Sequence, residues 1–144
     1  MISIVRTVLE VLYLLSILFL VKHYITLFRN VVMLRRETKI SIGYKDKALE
    51  RAVRAHSNFC ETVPIAITLT LVLYFHNFLF IAFPSLLILI IGRTIHANAI
   101  SKINEDISKR VLGMKLTMFS IKLSSAGILL YIIQIIYFYF KLNF

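Results

Sequence analysis

The stretch RAVRAHSNFCETVPIAITLTLVLYF, residues 51–75, begins with charged and amide side chains and ends as a largely apolar run. Its apolar part, residues 63–75, is shorter than the roughly 20 residues that a membrane-spanning helix needs. The span is complete only if the polar end is also helical and packs against protein, because an unpaired polar group in hydrocarbon costs several kcal/mol. The stretch therefore predicts a membrane helix that carries polar side chains into the bilayer.

The composition of the whole chain also indicates a membrane protein. Hydrophobic residues make up 59% of its 144 residues, against about 45–50% in a soluble domain. The net charge is +10, from 17 Lys and Arg against 7 Asp and Glu. Because the basic residues cluster between hydrophobic runs, we expect them to meet anionic headgroups and not nucleic acid. Cys60 is the only cysteine, so neither an internal disulfide framework nor a cysteine-rich metal site is possible, and no metal site is predicted.

Four hydrophobic runs divide the chain, at about residues 8–28, 63–75, 78–92 and 116–140. They predict four spanning helices, at about residues 3–36, 47–76, 78–101 and 108–141. The length suggests a single domain over residues 1–144. The predicted fold is all-α, an integral membrane four-helix bundle.

The distribution of basic residues predicts the orientation of the bundle. The region around the first connection holds eight of them: Arg29, Arg35, Arg36, Lys39, Lys45, Lys47, Arg51 and Arg54. The third connection and its flanks add Arg93, Lys102, Lys109, Arg110 and Lys115. The second connection, residues 76–78, has none. By the positive-inside rule, connections one and three face the cytoplasm and both termini lie on the opposite side.

Polar residues of the second helix form a stripe. At about 100° per residue, Arg51, Arg54, Asn58 and Glu61 fall within an arc of roughly 80°, while His56 points to the opposite side. Two interpretations remain open. The four groups either satisfy one another and hold the bundle together, or they line a binding site, as ionisable groups inside membranes usually do.

Other polar residues lie on the third and fourth helices. Arg93 and His96 are three residues apart and share a helix face. Lys122 lies about three turns past Arg110 on the fourth helix and needs a carboxylate partner. Glu61 and Glu10 are the two candidates for that partner, and the sequence does not choose between them.

The pattern E-R-x-x-R-A-H-x-N-x-x-E-x-x-P, residues 50–64, resembles the second-helix signature of the MAPEG family, the membrane-associated proteins of eicosanoid and glutathione metabolism. The string G-R-x-x-H-A, residues 92–97, is similar to the third helix of the family's prostaglandin E synthase branch. The short connections look closest to small bacterial members. The resemblance implies a homotrimer in a bacterial inner membrane, with glutathione bound between adjacent subunits near the cytoplasmic side.

The resemblance also implies roles for particular residues. By position, the implied glutathione contacts are Arg35, Arg51, Arg54, His56, Asn58, Glu61, Arg93 and His96. Arg110 matches the arginine that activates the thiol. The chain departs from the pattern at Thr62 and Ile100, where other branches carry a tyrosine ligand.

These features support a microsomal-type enzyme, a glutathione-dependent membrane transferase or peroxidase that acts on a lipophilic electrophile. The alternative is a non-catalytic protein that binds lipid or presents it to a partner, as the five-lipoxygenase-activating branch of the family does. The retained arginines, Asn58 and Glu61 favour the enzyme, and the two missing tyrosines favour the alternative. A structural bundle that only binds anionic lipid has no motif to support it.

Overall fold

The computed structural model describes residues 2–143, with side chains for residues 4–142. In this part of the chain it contains four helices: α1 (Ile2–Thr38), α2 (Lys47–Phe75), α3 (Leu79–Ile100) and α4 (Ile107–Asn143). All four are long and apolar enough to cross a membrane. The predictions of an all-α fold and of an integral membrane protein are thus confirmed.

Local signals set the bounds of α2. The side chain of Asp46 caps its first turn, since Oδ1 accepts a hydrogen bond of 2.8 Å from Leu49 N. The helix continues through Pro64 to Phe75, so its polar end is helical, as its length required. The turn that follows is tight, and Asn77 adopts a left-handed backbone conformation with φ 65° that asparagine tolerates better than most residues.

The helices pack as a central pair with two flanking helices. α2 and α3 contact each other, and each of them contacts both α1 and α4. Within residues 2–143, α1 and α4 do not contact each other. On the α1 side, the fully buried Tyr13 donates a hydrogen bond of 3.1 Å to Thr70 Oγ1 and stacks on Tyr74 with ring centroids 5.0 Å apart. These contacts satisfy the tyrosine hydroxyl inside the bundle.

The backbones of α3 and α4 approach closely where two glycines face each other. A Cβ atom on Gly113 would lie 2.7 Å from both Gly92 O and His96 N. Farther along the same interface, Ser120 Oγ donates a hydrogen bond of 2.6 Å to Ser85 O. Small residues and interhelical hydrogen bonds are the usual means by which membrane helices associate. This close approach fixes the third helix against the start of the fourth, which is where the polar residues of both helices meet.

The outer faces of α1 and α4 are apolar and exposed, as lipid contact requires. The carboxylate of Glu10 forms an ion pair of 3.1 Å with Arg6 and so does not serve Lys122. Glu61 and Lys122 do not form an ion pair with each other in the described residues. Among the residues whose side chains are described, 4–142, the carboxylate partner expected for Lys122 is therefore not found.

Candidate functional site

A polar cleft lies at the end of the bundle where α2 begins, α3 ends and α4 begins. Its volume is about 510 Å³. Six of the residues that line it belong to α2, and the whole set is Glu50, Arg51, Arg54, Ser57, Asn58, Glu61, Ile100, Glu105 and Arg110. Five of the residues implied by the family resemblance are thus brought together in one place: Arg51, Arg54, Asn58, Glu61 and Arg110.

A three-residue ion network forms the base of the cleft. Arg110 Nη1 lies 2.7 Å from Glu105 Oε1, and Arg51 Nη1 lies 3.1 Å from Glu105 Oε2. Arg51 also donates to the carbonyl of Ile100 at 3.1 Å, and so joins α2 to the end of α3. Hydrogen bonds from Arg110 and then from Arg51 hold the pKa of Glu105 below its ordinary value. Two cations share one carboxylate, so the network retains a positive charge.

The upper wall of the cleft has charged groups that are not paired. Within residues 4–142, Arg54 and Glu61 form no ion pair, and both side chains are exposed. Asn58, which lies between them on the helix, donates its side-chain amide to Arg54 O at 2.9 Å. The four groups of the α2 stripe therefore do not satisfy one another, because Arg51 pairs with Glu105 and not with Glu61.

Arg93 and His96 lie behind this wall and not in it. Both side chains are only 2% exposed. Arg93 Nη1 donates to Asn58 O at 3.2 Å and to Thr62 Oγ1 at 3.1 Å, so it joins α3 to α2. His96 Nδ1 lies 3.2 Å from Arg110 O and joins α3 to α4. In a single chain these two residues support the helices that carry the cleft.

Thr62 acquires a role in this arrangement. Its hydroxyl donates to Asn58 O at 2.7 Å and accepts the hydrogen bond from Arg93. A threonine here supplies a short polar acceptor to a buried guanidinium, whose Nε and Nη2 have no partner among the described atoms. The hydroxyl of Thr62 is therefore used in a contact between α2 and α3, and Thr62 does not line the cleft.

His56 and Arg35 lie away from the cleft. His56 is on the opposite face of α2, where its ring packs against Tyr24 and its Nε2 lies 3.6 Å from Cys60 Sγ. Arg35, near the end of α1, donates to the carbonyls of Ile40 and Ser41 at 3.2 and 2.9 Å. It braces the first connection.

Sequence analysis missed three of the residues that line the cleft, Glu50, Ser57 and Glu105. Of these, Glu105 is the one that takes part in the ion network. It belongs to no recognised motif, and it lies in the connection between α3 and α4, where a carboxylate is usually solvated. The neighbouring Asp106 is also acidic, so no local signal distinguishes Glu105 before the fold places it between Arg51 and Arg110.

Comparison with known proteins gives one match. The model of the MAPEG family matches residues 11–133. No curated protein and no solved structure matches the chain. The matched region includes all of α2 and α3, most of α1 and α4, and every residue of the cleft. Because the match extends over most of the 144 residues, the chain belongs to the MAPEG family.

Proposed function

We propose that this protein is a glutathione-dependent membrane transferase or peroxidase that acts on a lipophilic electrophile. The observation that carries the proposal is the cleft, which places the unpaired Arg54 and Glu61 on one wall and the network of Arg51, Glu105 and Arg110 at its base. Proteins of the MAPEG family generally use glutathione as substrate or cofactor. The volume of the cleft falls within the range of about 300–1,000 Å³ that is usual for small-molecule sites.

The charges of the cleft complement those of glutathione, which carries two carboxylates and one ammonium group. The planar guanidinium of Arg54 is suited to a carboxylate, which it can bind through two parallel hydrogen bonds. Glu61 supplies the negative charge that the ammonium group requires. The cleft is lined by three arginines, Arg51, Arg54 and Arg110, and by three glutamates, Glu50, Glu61 and Glu105. It therefore matches a ligand that carries charges of both signs.

Arg110 is the residue we assign to the chemical step. A free thiol has a pKa of about 8.5, and a nearby cation in a partly desolvated site favours the thiolate, which is the reactive form. An arginine stays protonated in proteins, so Arg110 cannot take the thiol proton, and its role is electrostatic. In transfer, the thiolate sulfur forms a bond to the electrophilic carbon, the leaving group departs with its electron pair, and the thiol proton passes to water.

The proposal includes an assembly and an orientation. The family is typically homotrimeric, and the unpaired groups of the α2 wall fit a site completed by an adjacent subunit. The basic connections at the cleft end favour a cytoplasmic cleft in a bacterial inner membrane, and the exposed apolar faces of α1 and α4 give a lipophilic substrate access from the bilayer.

The second candidate is a non-catalytic lipid-binding or partner-presenting protein, and it is favoured by Ile100, an apolar residue that lines the cleft.

Titration of the detergent-purified protein with glutathione tests the proposal. We expect saturable binding at millimolar concentrations or below, a rise in thiolate absorbance, and conjugation to a generic aryl halide. Arg110→Ala should abolish the thiolate signal and leave most of the affinity. Lys109→Ala is the matched control, because Lys109 is exposed and pairs with Asp106 outside the cleft.

Absence of binding at millimolar glutathione would contradict the enzyme proposal and favour the non-catalytic one. If Arg110→Ala instead removed binding, Arg110 would hold the ligand and would not act on the thiol.

A further inference from the structure

Two like charges from different helices meet at the base of the cleft. The guanidinium groups of Arg51, on α2, and Arg110, on α4, each lie within 3.1 Å of the same carboxylate. The carboxylate belongs to Glu105 in the connection between α3 and α4, and its side chain is 15% exposed, against 46% for Arg110. The carboxylate is thus the more enclosed member of its pair with Arg110.

Both oxygens of Glu105 are used, one for each arginine. The two guanidinium groups, which bind one carboxylate, repel each other, and the long side chain of an exposed arginine has many rotamers. Without an anion between them, Arg110 would turn outward into solvent. The bridge removes the repulsion and gives the Arg110 guanidinium one defined place beside the cleft.

We propose that Glu105 is a positioning residue, which bridges Arg51 and Arg110 and thereby holds the Arg110 guanidinium where it stabilises a thiolate. The inference rests on the proposed function. At the base of the cleft, two guanidinium groups and one carboxylate leave one excess positive charge beside the bridge, although the cleft as a whole has three charged groups of each sign. The other charged groups that face the cleft are Glu50, Arg54 and Glu61, all from α2.

Glu105 could instead compete with the ligand for the two arginines, and that role predicts different results. If Glu105 were an internal anion that occupies the ligand's place, its removal would strengthen glutathione binding and increase the thiolate fraction. If Glu105 positions Arg110, its removal must decrease the thiolate fraction and change affinity much less. The two roles therefore differ in the sign of the effect.

The experiment compares the wild type with Glu105→Ala, Glu105→Asp and the control Asp106→Asn. Asp106 is the neighbouring carboxylate, but it pairs with Lys109 and does not line the cleft. For each protein, thiolate absorbance against pH gives the pKa of the bound thiol, and titration gives the dissociation constant of glutathione. In Glu105→Ala we expect this pKa to rise by about one unit or more, a tenfold loss of thiolate, with affinity changed about threefold or less. Glu105→Asp should recover part of the effect, and Asp106→Asn should match the wild type.

An unchanged or lowered thiol pKa in Glu105→Ala would overturn the inference, as would an equal effect of Asp106→Asn. A second measurement needs no glutathione. Arginine side-chain NMR should show that the Nε–H of Arg110 becomes more mobile in Glu105→Ala and not in Asp106→Asn, and unchanged mobility would also overturn the inference. A wild type that binds glutathione without forming thiolate would instead contradict the proposed function, so the two failures are distinguishable.

Discussion

The α3–α4 interface and the cleft are both built from polar and small residues, but they differ in how closely the helices approach and in whether charged groups are left without an ion-pair partner. At the interface the backbones nearly touch at Gly92 and Gly113, and the hydroxyl of Ser120 is bonded across it. In the cleft, Arg54 and Glu61 have no ion-pair partner within the described part of the chain. The interface leaves no room for another molecule, and the cleft has room and unused charge.

The difference distinguishes polar residues that hold the bundle together from polar residues that are available to a ligand. In a membrane, interhelical contacts of the first kind supply much of the association energy. Residues of the second kind are costly unless something binds to them. Substitutions at the interface should therefore reduce stability, and substitutions in the cleft should reduce binding.

The largest effect is expected for Gly113→Ala. The added Cβ would meet backbone atoms of α3 at 2.7 Å, and these cannot move without separating the two helices. Overpacking of this kind costs about 1–3 kcal/mol of unfolding free energy, which can be measured as a lower thermal midpoint by circular dichroism in detergent.

Gly127→Ala is the matched control for that substitution. It lies on the same helix, but the atoms nearest to its added Cβ would be side-chain carbons of Ile81 and Leu73, at 3.0–3.1 Å. These side chains can adjust, so the loss should be smaller. Equal losses for the two variants would contradict the close contact of the α3 and α4 backbones.

Arg54→Ala should be next in size and should affect binding alone. The lost charge-assisted hydrogen bonds are expected to weaken glutathione binding about ten- to thirtyfold, or roughly 2 kcal/mol. The thermal midpoint should not change, because Arg54 makes no ion pair in the described chain. Lys47→Ala, at an exposed position outside the cleft, should leave the affinity intact, and a parallel loss there would indicate a general effect of positive charge.

Ser120→Ala should reduce stability only slightly. It removes the hydrogen bond to Ser85 O, and such bonds in membrane proteins contribute about 0.6 kcal/mol on average. Ser125→Ala is the control, since its hydroxyl is exposed and bonds only to Ile121 O of its own helix. A loss in Ser125→Ala as large as in Ser120→Ala would show that the bond across the interface contributes nothing.

The smallest expected effect is a change in how thermal stability depends on pH in the acid range. Hydrogen bonds from Arg110 and Arg51 lower the pKa of the Glu105 carboxyl in the folded protein. The ionised carboxylate therefore contributes its full stabilisation above pH 4.5, the ordinary pKa of a glutamate. That stabilisation is lost as the pH falls through the lower pKa of the folded state. Asp106, whose pKa is lowered by Lys109, acts in the same direction. Thermal midpoints measured below pH 4.5 should fall less steeply in Glu105→Gln than in the wild type, and identical slopes would contradict the bridge.

The helices and the α2 stripe could be predicted from the sequence, because both follow from periodicity along one element. The expected helix bounds differ from the observed ones by at most two residues. Arg51, Arg54 and Asn58 share a face for the same reason, and the cleft contains all three.

Residues that depend on contacts between helices could not be placed in this way. Arg93 and Arg54 looked equivalent as candidate contacts, yet Arg93 is buried because the carbonyl of Asn58 and the hydroxyl of Thr62 face it from α2. Glu105 was missed because its importance depends on where a six-residue connection folds back, which no periodicity describes.

The contacts of α1 have a consequence for the order in which the protein is assembled. Tyr13 bonds to a residue 57 positions later in the chain, and Arg6 donates at 2.7 Å to Asn77, 71 positions later. During synthesis α1 therefore enters the bilayer before any of its partners exists. It is stable there alone because its most apolar 18 residues have a higher mean hydropathy than those of the other three spans. It gains its buried face only when the α2–α3 hairpin has been inserted beside it.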